Sequence, residues 1–317
     1  MKGDIISLYD DELEFDSEEF DTQTFDWEDV KELRSRFDQS IRLRDNRVIE
    51  GFIIVKNGEL RIISDGKEQI FPLSELLNIT SSSESRLGLW DGKITLGANF
   101  LKGNVNQQDY TITSILQRRT TASRLRFDFL YNYSELEGDK GKENIIKANS
   151  RRFSGIYDWF YSADIFFRLI DLELFQDELQ NIESRNTLGS ALGYHLIDSK
   201  RVQWDITAGP SYQETIYIDS VTDDHQQSAV LSLNTLLEYE LSGDIDFVFD
   251  YQLQFVNSES GSRLHNLKIG FSFDLAYDID FDISLYIDRI AEPVSMASGE
   301  LPKENDYRTV VSLSYDF

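Results

Sequence analysis

The stretch Ile245-Asp246-Phe247-Val248-Phe249-Asp250-Tyr251-Gln252-Leu253-Gln254-Phe255 decides the fold. Every odd position is aliphatic or aromatic, and the even positions are mostly polar. A two-residue period is a strand whose two faces meet different surroundings. The last segment repeats the pattern, with Tyr307, Thr309, Val311, Leu313, Tyr315 and Phe317 on one face and Arg308, Ser312, Ser314 and Asp316 on the other. Working outward, twelve such segments cover 90–101, 109–119, 123–135, 145–157, 160–172, 184–197, 201–215, 227–241, 244–256, 264–277, 279–289 and 305–317. Strands of soluble proteins cluster near five or six residues. Most of these run past ten, and a tilted strand needs roughly 9–11 to cross a bilayer.

The connections alternate in length. The longer ones are 102–108, 136–144, 173–183, 216–226, 257–263 and 290–304; the shorter ones are 120–122, 158–159, 198–200, 242–243 and a tight turn near Asp278. An even strand count with short turns at one end and long loops at the other is the pattern of an outer-membrane barrel. Aromatic residues form two belts, as at the two headgroup levels. Trp90, Trp159, Trp204, Tyr161, Tyr239, Tyr277 and Tyr315 fall near the short turns. Tyr110, Tyr131, Tyr133, Tyr212, Phe255 and Tyr307 fall near the long loops. A soluble β-sandwich also buries one face, but it predicts shorter strands, mixed loop lengths and no double belt. The expected fold is all-β: a twelve-stranded antiparallel transmembrane barrel over 90–317, joined by a linker at 81–89 to a small β module at 1–80.

Composition agrees. The 317 residues include 57 acids and 31 bases, a net charge of −26, and no cysteine. That sign repels phosphate backbones, so no nucleic-acid partner is expected. Lack of cysteine excludes disulfide scaffolds, thiolate metal sites and cysteine nucleophiles. Apolar residues make up 40% of the chain, too many for an acidic disordered chain, yet apolar runs are only a few residues long and no helix would span a bilayer.

The module holds an internal repeat. Gly3-Asp4-Ile5-Ile6, Leu13-Glu14-Phe15 and the spacing 25, 27, 30, 33 match Gly51-Phe52-Ile53-Ile54, Leu60-Arg61-Ile62 and the spacing 71, 73, 76, 79. Gly51 follows a strand and turn over 41–49, whereas Gly3 follows only two residues. Two SH3-like units are expected, the first lacking its opening strand, with the true N-terminus upstream. No export signal is legible in MKGDIISLYDDELEF, so the protein either is not exported or has had its signal removed. Neither unit is large enough to bury much alone, so pairing or docking is expected, with a periplasmic partner as one outcome. Residues 1–80 carry 20 acids and 10 bases. Asp10-Asp11-Glu12 and Glu18-Glu19 suggest a cation or a basic partner, although a solvated acidic turn explains them as well, since no ligand spacing is fixed.

Trp90-Asp91-Gly92-Lys93-Ile94-Thr95-Leu96-Gly97 with Lys102-Gly103-Asn104-Val105-Asn106, Arg118-Arg119-Thr120 with Arg124-Leu125, Leu188 through Asp198, and Ala208-Gly209-Pro210-Ser211-Tyr212 together resemble the salt-induced outer-membrane protein family, domain of unknown function 481. The resemblance implies an outer-membrane barrel, in some members with a small β domain before it. It brings no catalytic, cofactor or metal residues. The terminal Leu313, Tyr315 and Phe317 look like the signal read by the barrel-assembly machinery.

Facing then divides the barrel residues. Phe247, Phe249, Leu253, Ile269, Phe271, Ile283, Leu285, Val311 and Leu313 are expected against outer-membrane lipids. The opposite face carries Asp128, Asp164, Asp205, Glu238, Glu240, Asp246, Asp250, Asp274, Asp280, Asp282 and Asp288, with Arg126, Arg168, Lys268 and Arg308 against them, and glycines at 97, 189, 193, 209 and 270. Such a lumen is either a cation-leaning pathway or an interior closed by paired charges. Catalysis is not expected. The residues two after His195, His225 and His265 are Ile197, Gln227 and Leu267, so the His-x-Ser arrangement of outer-membrane phospholipases is absent. Asp223-Asp224-His225 only loosely resembles the acid–histidine pairs of omptin-like surface proteases. No phosphate cradle or His-based metal spacing occurs, so no cofactor is expected.

Overall fold

The computed structural model describes residues 1–9, 11–81, 89–101, 107–136, 145–199, 201–219, 224–276, 278–295 and 301–317. The expected linker therefore lies almost wholly outside the described residues, as do Tyr277, Asp223 and the Lys102–Asn106 loop.

The module is one antiparallel sheet built from both repeats. The first repeat supplies β1 (Gly3–Tyr9), β2 (Glu12–Ser17), β3 (Asp21–Asp26), a 3-10 turn at Trp27–Asp29 and β4 (Glu32–Arg34). After β5 (Gln39–Leu43), the second supplies β6 (Val48–Lys56), β7 (Glu59–Ser64), β8 (Lys67–Pro72), a 3-10 turn at Leu73–Glu75 and β9 (Leu76–Ser81). Asn57-Gly58 and Asp65-Gly66 close the second repeat's hairpins with positive φ at both central residues, the twist that two-residue hairpin turns require. Strand order is β3-β2-β1-β9-β5-β6-β7-β8, with β4 on β6. The copies do not fold side by side as separate units. Each gives its last strand to the other: β9 pairs β1 through Ile79 and Leu8, and β4 pairs β6 through Leu33 and Val55. Ile5, Leu8, Leu13, Phe15 and Leu33 meet Ile41, Ile53, Val55, Leu60, Ile62 and Ile79 in one dry core.

The rest closes into a barrel: β10 (Trp90–Leu101), β11 (Gln107–Arg119), β12 (Ser123–Leu136), β13 (Ile145–Phe160), β14 (Ile165–Asp177), β15 (Ile182–Asp198), β16 (Val202–Tyr217), β17 (His225–Ser242), β18 (Ile245–Phe255), β19 (Arg263–Ala276), β20 (Ile279–Ile290) and β21 (Asn305–Asp316). Each strand pairs with the next, and β21 returns to β10. Closure leaves no open edge, the condition for a sheet in hydrocarbon. Leu96, Leu169, Leu188, Leu192, Val311 and Leu313 are all more than half exposed on the outside. So large an apolar surface is stable against lipid and not against water. Phe247, Phe271, Ile283 and Val311 lie in one row across four strands, and Phe249, Ile269 and Leu285 in the next. Leu253 shares this outward phase. At the short-turn end Trp159 stacks on Phe167 and Tyr161 packs edge-on to both, with centroids about 6 Å apart.

Among smaller shifts, two connections depart most from the sequence reading. β13 continues through Trp159 and Phe160, so the short turn falls at 161–164, where Ser162 Oγ accepts the Ile165 N–H. The loop between β14 and β15 shrinks to 178–181 because both strands run further than their alternation suggests. A bulge between Arg168 and Asp171 lets Leu169 and Ile170 both face outward, which reverses the phase of the upper half of β14.

Candidate functional site: the lumen and its short-turn rim

Inside the barrel, arginines from β12, β13 and β14 bridge acids on other strands. Asp158, fully buried, accepts from Arg124 at 2.8 Å and from Arg168 at 2.8 Å. Arg124 also holds Asp205 at 2.6 Å, and the Asp205 carboxylate accepts from the His195 Nδ1–H at 2.6 Å. Taking these charges out of water is costly, and the pairing offsets it only because each carboxylate meets several donors. Two bridges cross the lumen between nearly opposite strands. Arg126 on β12 reaches Glu238 on β17 at 2.7 Å, and Arg152 on β13 reaches Asp288 on β20 and Asn266 on β19, both at 3.0 Å.

These bridges leave two spaces. The middle one, about 200 Å³, is lined by Arg126, Asp128, Arg152, Arg168, Asp171, Glu173, Asp205, Asp250, Lys268 and Asp288. The other, about 740 Å³, opens toward the short turns and is lined by Asp91, Lys93, Arg126, Arg201, Glu238, Glu240, Asp246, Lys268, Asp278, Asp282 and Asp316. Lys93 sits among Asp280, Asp282 and Asp316, with Ser272 Oγ at 2.9 Å.

At the short-turn rim the module meets the barrel. Arg42, only 3% exposed, donates to the carbonyls of Thr121 at 2.8 Å and Phe160 at 3.0 Å, and Ser40 bonds Thr121 Oγ1. Burial, then the Arg119 cation nearby, holds the Arg42 guanidinium below its ordinary pKa. Arg119 grips Asp198 at 2.8 Å and lies over the Tyr9 ring at 4.6 Å, while the Tyr9 hydroxyl bonds Asp198. From there a column of rings and cations enters the lumen. Arg119 lies over Phe160 at 5.0 Å, Phe160 abuts His195, His195 abuts Phe166 at 4.5 Å, and Arg124 covers Phe166. Gly193 makes room for this column, since a Cβ there would stand 2.1 Å from Phe166. The inward glycine at 193 is thus filled by a ring and is not open space.

Most residues singled out from sequence fall in this system. Asp128, Arg168, Asp205, Asp250 and Lys268 line the middle space; Glu238, Asp246, Lys268 and Asp282 line the lower one. Asp274 sits at the rim, opposite Asp280 in the ladder. Asp164 is a correction: it lies exposed in the 161–164 turn, where its carbonyl accepts the His195 N–H, because β13 runs three residues past its expected end. Leu313, Tyr315 and Phe317 point outward, and Phe317 exchanges both backbone bonds with Gly92 at 2.9 Å. Sequence reasoning missed Asp158, which the alternation puts in a turn, Asp171, whose phase the bulge inverts, and Glu173, which falls in the expected loop 173–183 although β14 runs on to Asp177. Tyr9 and Arg42 carry no local signal because they meet the rim only across the two domains, and Arg119 and Asp198, quoted above for the family resemblance alone, pair between β11 and β15, strands that are not neighbours. A buried arginine in a strand, as at Arg42, was the one available hint. His225 bonds Glu214 and His265 bonds Tyr251.

No protein of curated function matches the chain. Among solved structures it is similar to the NanC porin, at 10% identity with a TM-score of 0.42 over 71% of this chain and 98% of that one. It is also similar to the KdgM porin in complex with disordered oligogalacturonate, at 9% identity and 0.36 over 71% and 99%. An outer-membrane channel from Pseudomonas putida F1 matches at 9% identity and 0.39 over 72% and 94%. These likenesses are of overall barrel shape. Residues 94–317, most of the barrel, match the family described as "Protein of unknown function, DUF481", and the chain belongs to that family.

Proposed function

We propose that this protein is a non-enzymatic outer-membrane barrel that anchors residues 1–80 on the periplasmic face, where the module engages another envelope component in a structural or adaptive role. The observation that carries the reading is the pair of bridges Arg126–Glu238 and Arg152–Asp288, which cross the lumen and tie opposite walls together. A barrel braced this way is a closed anchor rather than an open pore. Outer-membrane lipids cover the apolar belt, and the barrel-assembly machinery reads the terminal strand through Leu313, Tyr315 and Phe317. The salt-induced character that the sequence resemblance implies belongs to this reading.

A second reading, a narrow cation-leaning channel, is favoured by the acids that outnumber bases around the 740 Å³ space. Planar-bilayer recording separates the two. The anchor reading expects a silent barrel, with cation-selective current only after Arg126→Gln and Arg152→Gln remove the bridges. A steady cation current from the unaltered protein would overturn the anchor and establish the channel.

A further inference from the structure

Closure brings β21 beside β10 but bonds the two over only part of their length. β10 is paired with β11 throughout, from Trp90–Arg118 to Leu101–Gln107, and β21 with β20 from Asn305–Arg289 to Tyr315–Ile279. Between β10 and β21 the ladder holds only from Lys93–Asp316 to Leu96–Leu313, extended at the short-turn end by the bonds between Gly92 and Phe317. Toward the long loops both strands run on, β10 from Gly97 to Leu101 and β21 from Ser312 back to Asn305, with no ladder between them. The seam is a fork.

Register identifies the groups left over. Gly92 and Phe317 exchange both backbone bonds, and alternation along an antiparallel pair places the next bonded pairs at Ile94–Tyr315 and Leu96–Leu313. The pair after them would be Ala98–Val311, and it is not formed. The N–H and C=O groups of these two residues therefore point into the fork without a ladder partner. The outer side of this wall is hydrocarbon, where Val311 is 53% exposed, and unpaired backbone groups are costly there. At the apex Gly97 keeps the strands close: a Cβ there would stand 3.2 Å from Val310 Cγ1 and 3.3 Å from the Val311 carbonyl oxygen. The two edges are in register, so each is the partner the other lacks.

The charged braces leave this part of the wall free. Arg126 ends on Glu238 of β17, and Arg152 on Asn266 of β19 and Asp288 of β20. Lys93 ties β10 to Asp280 and Asp282 of β20 and to Asp316 of β21, but at the bonded end of the seam. Directly behind the fork the inner wall is uncharged. Gly97, Thr111, Asn132 and Ser150 form one row across β10, β11, β12 and β13. Thr111 Oγ1 donates to Asn132 Oδ1 at 3.0 Å, and Asn132 Nδ2 donates to Ser150 Oγ at 3.4 Å. On β21, Val310 and Ser312 are buried on the inner face, and the Ser312 hydroxyl has no partner among the described residues. Two residues before Gly97, Thr95 lines the 740 Å³ space.

We propose that the β10–β21 seam is a lateral gate, which beyond Leu96 parts and zips, and when parted lets an uncharged, bilayer-soluble amphiphile pass between lipid and lumen. Zipped, Ala98 pairs with Val311 and the wall is complete. Parted, as in this structure, the free backbone groups and the Ser312 hydroxyl offer hydrogen bonds to the polar head of the molecule while its chain stays in hydrocarbon. A ligand that bonds the parted edges shifts the seam toward that state. The braces on the other strands hold the barrel's shape meanwhile. This role goes beyond that of an anchor: the lumen is reached from the bilayer and not along the barrel axis.

A lipid-confined thiol reagent tests it, since the chain has no cysteine of its own. The full-length Ser312→Cys variant is inserted in phosphatidylcholine vesicles and treated with a long-chain N-alkylmaleimide, itself an uncharged amphiphile. Ser284→Cys is the control, on the inner face of β20 where Gly270 and Val310 pair with it on either side. Because a fully bonded wall excludes the reagent, labelling at Ser312→Cys should be about tenfold faster than at Ser284→Cys. Equal rates, or no labelling at either, would overturn the gate. So would the same preference with a charged, impermeant maleimide, which enters the lumen only from water. Zipping is read from disulfide formation, because bonded antiparallel partners lie within disulfide reach. The Ala98→Cys, Val311→Cys pair should close about tenfold more slowly than Ile94→Cys, Tyr315→Cys. Equal rates would mean a seam bonded throughout, and no closure at all a seam that never zips; either removes the gate. Gel migration checks that each variant is inserted, and Val310→Cys, also inward, replaces Ser312→Cys should that variant not insert. The anchor reading is decided by conductance and survives every one of these outcomes.

Discussion

The barrel and the module are built from the same two-residue alternation, and they are inside out relative to each other. In the module the apolar face turns inward: Ile41, Ile53, Leu60, Ile62 and Ile79 are at 0% exposure. In the barrel the apolar face turns outward, and Arg124, Asp158, Gln213 and Thr215 are the residues shielded inside. Apart from its length, nothing in a single strand distinguishes the two cases. What differs is the medium on the outer side, and with it which class of contact holds the structure. The module is stabilised by apolar burial at roughly 25 cal/mol per Å² removed from water. The barrel gains its outward burial from lipid, and its interior depends on satisfying charges against one another.

Four substitutions sharpen that contrast. The largest effect is expected inside the barrel. Asp158→Ala leaves Arg124 and Arg168 buried without their shared carboxylate, and breaking a buried pair costs about 3–5 kcal/mol. Urea unfolding of the lipid-inserted barrel measures it, and a loss below 1 kcal/mol would mean that water already fills this part of the lumen. On the outside, Phe249→Arg should cost about 2–4 kcal/mol in lipid, since a cation is carried to the bilayer midplane. Its neighbour Asp250→Asn, on the inner face, should be mild. Equal tolerance of both in vesicles would break the inside-out assignment. The smallest effect is expected at the junction of the two regions. Arg42→Ala strips the donors from the carbonyls of Thr121 and Phe160, about 1–3 kcal/mol for buried groups left unpaired, or less if water replaces them. The readout is protease release of the module from a barrel that stays folded. Unchanged release would show that the Arg119–Asp198–Tyr9 and Ser40–Thr121 contacts suffice to fasten the module.

Legibility followed the range of the interactions. The barrel strands could be read because each carries its facing in local alternation, and the repeat because its apolar spacings recur. Asp158 could not be read as a lumen residue, because whether β13 ends before or after it depends on Phe160 packing against His195 on β15. Asp171 needed the bulge in β14, which has no local signature beyond two adjacent apolar residues, Leu169 and Ile170.

By itself the sequence determined the class of fold, the number and approximate extent of the barrel strands, which of their faces is apolar, and that residues 1–80 hold two copies of one pattern. These follow from near-neighbour chemistry: a period of two, turn residues, and strand lengths matched to a bilayer. Tertiary structure alone decided that the copies exchange their last strands, that two arginines cross the lumen, and that Arg42 and Tyr9 fasten the module to the rim. Each of those contacts joins residues far apart in the chain, and its free energy depends on the geometry of closure, which no local pattern encodes.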